Sequence, residues 1–224
     1  MGERVMTKVY FIRHAEAEGN LLRIAQGHLD GKITERGYQQ IEALKKRFAE
    51  IPVDAVYASD LFRARTTAEA ISVPKNLPLH LDPAFREINM GAWEGRSWQD
   101  LYDNEPEQID AFNHHLERFR PQGGESPQQV IDRFYPAMMK YAHENEGKTI
   151  AICSHGCALR YMMAALRGLP ISAIGDTTHG DNTAVSLVEV DGDTTRVVYQ
   201  DDNSHVLEAG LSTFATQTWW RKPE

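Results

Sequence analysis

The sequence predicts an α/β fold built on a mostly parallel sheet covered on both faces, and three observations carry that prediction. Val9-Tyr10-Phe11-Ile12 and Thr149-Ile150-Ala151-Ile152-Cys153 are short, continuous apolar runs. Strands buried on both faces read this way, whereas half-exposed strands alternate. Segments of helical spacing separate these and further extended runs, as in strand-helix-strand units. Finally, both apolar runs exit into a histidine motif, Arg13-His14 and Ser154-His155-Gly156. Ligands of open α/β sheets bind beyond the carboxyl ends of the strands, so both histidines arrive where chemistry is done.

The elements follow in order. After the first strand, Ala15 to Lys32 is a polar, glycine-bearing loop. Thr34 is placed to cap a helix with Gly37 in its first turn and Ile41, Leu44, Phe48 and Ala49 down one face. Pro52 lies beyond it, and Asp54-Ala55-Val56-Tyr57-Ala58 is a second strand. Ser59-Asp60 is expected to cap the next helix, which carries Leu61, Ala64, Ala68 and Ile71 and stops before Pro74. Residues from about 76 to 122 break the alternation and read as an insertion over the sheet edge, a place suited to substrate selection. It holds a short extended piece (Leu79-His80-Leu81) and weak helices over Ser97–Tyr102 and Pro106–Phe119. Ser126-Pro127 opens a helix running to about Glu146, with proline at its first position. A further helix spans Cys157 to Arg167. Ala184–Val190 and Arg196–Tyr199 form a hairpin around Asp191-Gly192-Asp193, expected at one edge of the sheet. Trp219-Trp220 in the tail is not expected to be fully solvated. The whole chain, residues 1–224, is expected to be one domain.

Composition narrows the class of function. A hydrophobic fraction of 42% and a charged fraction of 25% suit a globular protein. No run approaches the roughly 18 apolar residues of a membrane span, and the start lacks the layout of a signal peptide, so a cytoplasmic location is expected and a membrane partner is not. A net charge of -8 argues against nucleic acid, which is held by broad basic surfaces, but not against a small phosphorylated substrate in a cleft focused by a few arginines. Cys153 and Cys157 do not have zinc or thioredoxin spacing and read as small buried residues. His28, His114, His115 and His179 read as surface or pocket-rim residues, with no metal set among them. The edge hairpin leaves a homodimer open.

A neutral imidazole can attack phosphorus, while arginine forks bind the phosphate oxygens and neutralise their charge. Arg13-His14-Ala15-Glu16, Ser59-Asp60-Leu61-Phe62-Arg63-Ala64, Arg86-Glu87 and Ser154-His155-Gly156 stand in the order seen in the histidine phosphatase superfamily, which includes the cofactor-dependent phosphoglycerate mutases. The chain resembles that family from about residue 8 to 190. The resemblance implies a three-layer α/β/α sandwich of the phosphoglycerate mutase type and a reaction that needs no cofactor or metal. It implies His14 as the nucleophile that becomes phosphohistidine, with Arg13, Arg63 and His155 forming the phosphate pocket. It implies Glu87 as general acid and base; a surface pair between Glu87 and Arg86 is the competing reading. Asn20, Gln26, Gly27 and Gly156 match substrate-binding positions. Ala15 stands where the family usually has glycine, and Ala17 where it has threonine.

The resemblance also sets phosphatase against mutase. After the acid residue the glycolytic mutases carry Arg-His-Tyr, whereas Glu87 is followed by Ile88-Asn89-Met90, and the insertion has no basic cluster for a second charged group. The expectation is a phosphomonoesterase acting on small phosphorylated metabolites. A cofactor-dependent mutase is the alternative, and a catalytically silent phosphate-binding protein the third reading. Trp93, Trp98, Phe112 and Phe119 fit either core or an apolar pocket, and the natural substrate stays open.

Overall fold

The computed structural model describes residues 6–214. Among them a single sheet contains β1 (Thr7–Arg13), β2 (Ala55–Ala58), β3 (Leu79–Leu81), β4 (Thr149–Ser154), β5 (Val185–Asp191) and β6 (Thr194–Asp202). The spatial order is β3-β2-β4-β1-β5-β6. The first four in that order run parallel, and β5 and β6 add an antiparallel margin. The helices are α1 (Glu18–Leu21), α2 (Glu35–Phe48), α3 (Phe62–Ser72), α4 (Trp98–Asn104), α5 (Pro106–His114), α6 (Pro127–Glu144), α7 (Gly156–Leu166) and α8 (Ser204–Glu208).

Strand alternation divides the core in two. Val9 and Phe11 of β1, with Ile150 and Ile152 of β4, face Phe134 and Met138 of α6 and Met162 of α7. Their neighbours Ile12, Ala151 and Cys153 face Leu44 and Phe48 of α2 and Ala64 and Ile71 of α3. Because residues of both parities are buried, the strands read as continuous apolar runs, and the three-layer α/β/α arrangement follows. No helix among the described residues is long and apolar enough to cross a membrane.

Local capping works where the sequence placed it. Thr34 Oγ1 accepts from Gly37 N at 3.0 Å, and Ser126 and Gln129 form a reciprocal capping box ahead of α6, a motif worth about 1 kcal/mol. The start of α3 differs. Its N-cap is Leu61; Phe62 N donates to Asp30 Oδ1 at 2.7 Å, and the Asp60 carboxylate is taken by Arg86. Ala49 is the exposed C-cap of α2 rather than part of its buried face. The helix from Pro106 ends at His114, and Leu79–Leu81 pairs in register with β2 as an outer strand of the sheet. The loop after β1 contains the single turn α1. The hairpin forms around Gly192, at φ +55°, a conformation glycine adopts at no steric cost, and β6 is the margin of the sheet. Trp219-Trp220 lies outside the described residues.

Candidate active site

β1 and β4 are neighbours with Arg13 opposite Ser154, and His14 N donates to Ser154 O at 2.9 Å. Parallel register therefore brings the residues after each strand side by side, with the His14 and His155 rings 5.2 Å apart. His14 Nδ1 lies 2.7 Å from Ala15 O. A carbonyl only accepts, so Nδ1 carries the hydrogen and Nε2 keeps a free lone pair. Burial, reinforced by the guanidiniums of Arg63 and Arg13, holds His14 well below its ordinary pKa, so the ring is neutral. The backbone around it is pinned from two sides: Asn182 Nδ2 donates to His14 O at 2.9 Å, and Ala15 N donates to Thr67 Oγ1 at 2.9 Å. Thr67 in turn donates to Arg63 O at 2.7 Å, linking the His14 loop to α3.

Arg13 and Arg63 are both buried. Arg63 donates to Gly27 O at 2.8 Å and Leu29 O at 2.6 Å, and Arg13 donates to Gly180 O. Burial lowers the Arg63 pKa to about 10, which still leaves it charged at neutral pH. The Nε atoms of both arginines and both ring nitrogens of His155 are buried with no hydrogen-bond partner within the protein. Such groups are costly to leave unmade, and their clustering around His14 marks an anion site.

Glu87 is buried and its carboxylate accepts three backbone N–H groups: Ile88 at 2.9 Å and Ala158 at 2.8 Å on Oε1, and Cys157 at 3.1 Å on Oε2. Cys157 and Ala158 belong to the first turn of α7, whose N-cap His155 supplies no side-chain cap. Glu87 therefore satisfies orphan donors at the positive end of that helix. Arg86 points elsewhere, to Asp60, so the surface pair with Glu87 does not form.

These groups open on one cavity of about 1050 Å³ at the carboxyl edge of the sheet, lined by Arg13, His14, Asn20, Gln26, Gly27, Arg63, Glu87 and Gly156 among others. His155 is the one predicted site residue that does not line it; it is fully buried beside His14. The histidine phosphatase superfamily (branch 1) profile matches residues 9–203. The chain belongs to that superfamily. It is 35% identical over 168 residues to a probable phosphoglycerate mutase GpmB of Erwinia tasmaniensis, covering 75% of this chain and 78% of that one. Phosphoserine phosphatase 1 of Hydrogenobacter thermophilus is 29% identical over 186 residues, 83% of this chain and 88% of the other. The solved structure of Bacillus stearothermophilus YhfR superposes with a TM-score of 0.86 at 33% identity, over 89% of this chain and 99% of that one.

Within this superfamily scaffold several residues play parts that their sequence positions did not reveal. Gly156 seats Arg13: a Cβ there would stand 3.3 Å from Arg13 Nε. Gly27, at φ +50°, packs against Glu94 and presents its carbonyl to Arg63. Asn20 Oδ1 caps Ala17 N at 3.0 Å, and Gln26 Oε1 is buried without a partner. Ile88 lies wholly in the core, while Met90 lines the cavity. Arg133 holds the Glu87 loop: it donates to the carbonyls of Ala84 (2.7 Å), Arg86 (2.8 Å) and Glu87 (2.8 Å) and is gripped by Glu125. His28 Nε2 lies 2.8 Å from the same Glu87 carbonyl. Of the aromatic group, Trp93, Phe112 and Phe119 are buried in the core, and Trp98 and Phe112 border the cavity. Cys153 and Cys157 are buried and free, with thiol pKa values pushed up by burial.

The buried histidines give folding a definite pH dependence. Burial holds His14 and His155 well below the ordinary histidine value and His205 at about 4, whereas in the unfolded chain each titrates near ~6.5. Below that pH the unfolded chain binds more protons than the folded one. Stability is thus fully present above ~6.5 and falls as the pH drops, by up to about 1.4 kcal/mol per pH unit for each fully buried ring. The urea midpoint is expected to be lower at pH 5.5 than at pH 7.5, and an unchanged midpoint would contradict neutral burial.

Proposed function

We propose that the protein is a phosphomonoesterase that hydrolyses small phosphorylated metabolites through phosphohistidine on His14. The observation that carries this reading is the neutral His14, its Nε2 lone pair free, set among the unpartnered nitrogens of Arg13, Arg63 and His155. Nε2 attacks phosphorus, and the bond from phosphorus to the ester oxygen breaks. Arg13 and Arg63 neutralise charge on the equatorial oxygens as it shifts in transfer; with that charge supplied by guanidiniums, the steps call on no metal. Glu87 gives the departing oxygen its proton. Oε1 already accepts two N–H groups and Oε2 one, so Oε2 is the atom with room for the proton. Water then attacks the phosphohistidine, Glu87 takes its proton, and the phosphorus–nitrogen bond breaks to free inorganic phosphate and neutral His14. Asn20, Gln26, Gly27 and Gly156 border the phosphate position.

The mutase reading is favoured by the likeness to a protein called a probable phosphoglycerate mutase. A mutase has to retain its intermediate and return the phosphoryl group, whereas a phosphatase has only to admit water. The core position of Ile88 and the thioether of Met90 supply no charge for retention, which favours hydrolysis. The test is a metal-free assay of a phosphomonoester panel that includes 3-phosphoglycerate with and without 2,3-bisphosphoglycerate. Release of phosphate without isomerisation is expected; isomerisation without release would make the protein a mutase. A silent binder would form no phosphohistidine at all.

A further inference from the structure

The cavity continues well beyond the phosphate position, and its outer wall has a definite chemistry. On one side stand Ile24, Met90, Trp98, Tyr102, Ile109 and Phe112. The rings of Trp98 and Phe112 stack on one another, 5.2 Å apart and 28° from parallel, with Phe112 buried and Trp98 half-buried. The remaining wall includes Asp110, Asp176, Asp181 and Asp201 beside the imidazoles of His114 and His179.

Cations are scarce there. Among the described lining residues the lysines and arginines are Arg13, Arg63 and Arg160, and the first two belong to the phosphate bed. Arg160 is consumed internally. It donates to Thr177 Oγ1 at 3.0 Å and to the carbonyls of Ile174 (2.6 Å), Gly175 (2.8 Å) and Thr177 (2.6 Å), and lies 3.1 Å from His179 Nε2. Its guanidinium tethers the 174–179 segment, so no planar donor fork is left for a second anionic group on the substrate.

Building on the reading of this site as a phosphomonoesterase, we propose that it selects monophosphate esters of uncharged alcohols bearing a flat apolar ring, and discriminates against alcohols bearing a carboxylate or second phosphate. A cavity of about 1050 Å³ matches the upper range of small-molecule sites, roughly 300–1,000 Å³, and far exceeds the needs of a three-carbon ester. A ring packed against the half-buried Trp98 indole, itself backed by Phe112, rewards an aromatic leaving group. A second anion would be brought toward carboxylates in a partly desolvated cleft where, among the described lining residues, no lysine or unengaged arginine offsets the repulsion.

The test compares three esters of primary alcohols, which hold leaving-group reactivity nearly constant: 2-(2-naphthyl)ethyl phosphate, glycerol 1-phosphate and 3-phosphoglycerate. The expected order of kcat/KM is naphthylethyl, then glycerol, then phosphoglycerate, with on the order of 30-fold between the extremes. Trp98→Ala is expected to raise KM for the naphthylethyl ester about tenfold more than for glycerol 1-phosphate. Asp110→Lys changes a side chain that is 61% exposed and is expected to raise kcat/KM for 3-phosphoglycerate several-fold relative to the naphthylethyl ester. Turnover of 3-phosphoglycerate matching the naphthylethyl ester, or variants that leave these ratios unmoved, would overturn the selectivity while 4-nitrophenyl phosphate is still hydrolysed. Failure to hydrolyse 4-nitrophenyl phosphate as well would instead overturn the phosphomonoesterase reading beneath it.

Discussion

His14→Ala is expected to lower kcat for phosphate release by on the order of 10⁴-fold or more, the scale seen when a covalent nucleophile is removed. The variant keeps Arg13, Arg63 and His155, the groups proposed to bind phosphate, so inorganic phosphate should still inhibit by binding while turnover is lost. Acid-quenched wild-type enzyme is expected to carry labelled phosphohistidine during turnover, and the variant none. The imidazole lies beside two buried guanidiniums, so its removal takes away no counter-charge, and a folded protein with an unchanged melting temperature is the expected control. Wild-type turnover by a contaminant-free His14→Ala preparation would end the phosphohistidine reading.

What was legible in the sequence depended on how far each interaction reaches along the chain. Thr34 and Ser126 cap helices through bonds to residues three positions away, and local patterns of that kind are visible in one dimension. His14 and His155 were legible because each follows an apolar strand, and parallel pairing of β1 with β4 does the rest. The cap of α3 comes from Asp30 and the cap of α7 from Glu87, across 32 and 70 residues, and nothing in the neighbourhood of either helix announces them. Adjacency misled in the same way at Arg86-Glu87. With Arg86 extended at φ -61°, ψ 158°, the two side chains diverge, one to Asp60 and one to α7. Thr67 and Arg133 occupy helix positions that read as ordinary, and only the folded chain shows them holding the loops of His14 and Glu87. Spacing likewise could not tell Trp93 and Phe119 from Trp98 and Phe112, because the wall between core and cavity is set by the packing of α4 and α5.

Glu87→Gln separates the proton-transfer role proposed for this carboxylate from its capping of α7. As a proton donor and acceptor Glu87 matters most when the leaving oxygen is basic, and loss of a general acid typically costs about 10²–10⁴-fold. An alkyl phosphate such as glycerol 1-phosphate is therefore expected to lose about 10³-fold in kcat. For 4-nitrophenyl phosphate, whose leaving oxygen scarcely needs a proton, the first step should lose far less. As the cap of α7, Glu87 matters equally for every substrate. The carboxylate accepts N–H groups on both oxygens, and an amide can accept on only one; the other end would set its NH₂ group against a backbone donor. That mismatch is expected to cost about 1–3 kcal/mol, read as a lower melting temperature, and to slow all esters alike through misplacement of His155 and α7. The ratio of the two losses decides between the roles. A steep dependence on leaving group, with phosphate inhibition preserved, assigns the proton to Glu87. Equal losses on both esters would leave it as the cap of α7 alone and would send the search for the acid elsewhere on the cavity wall.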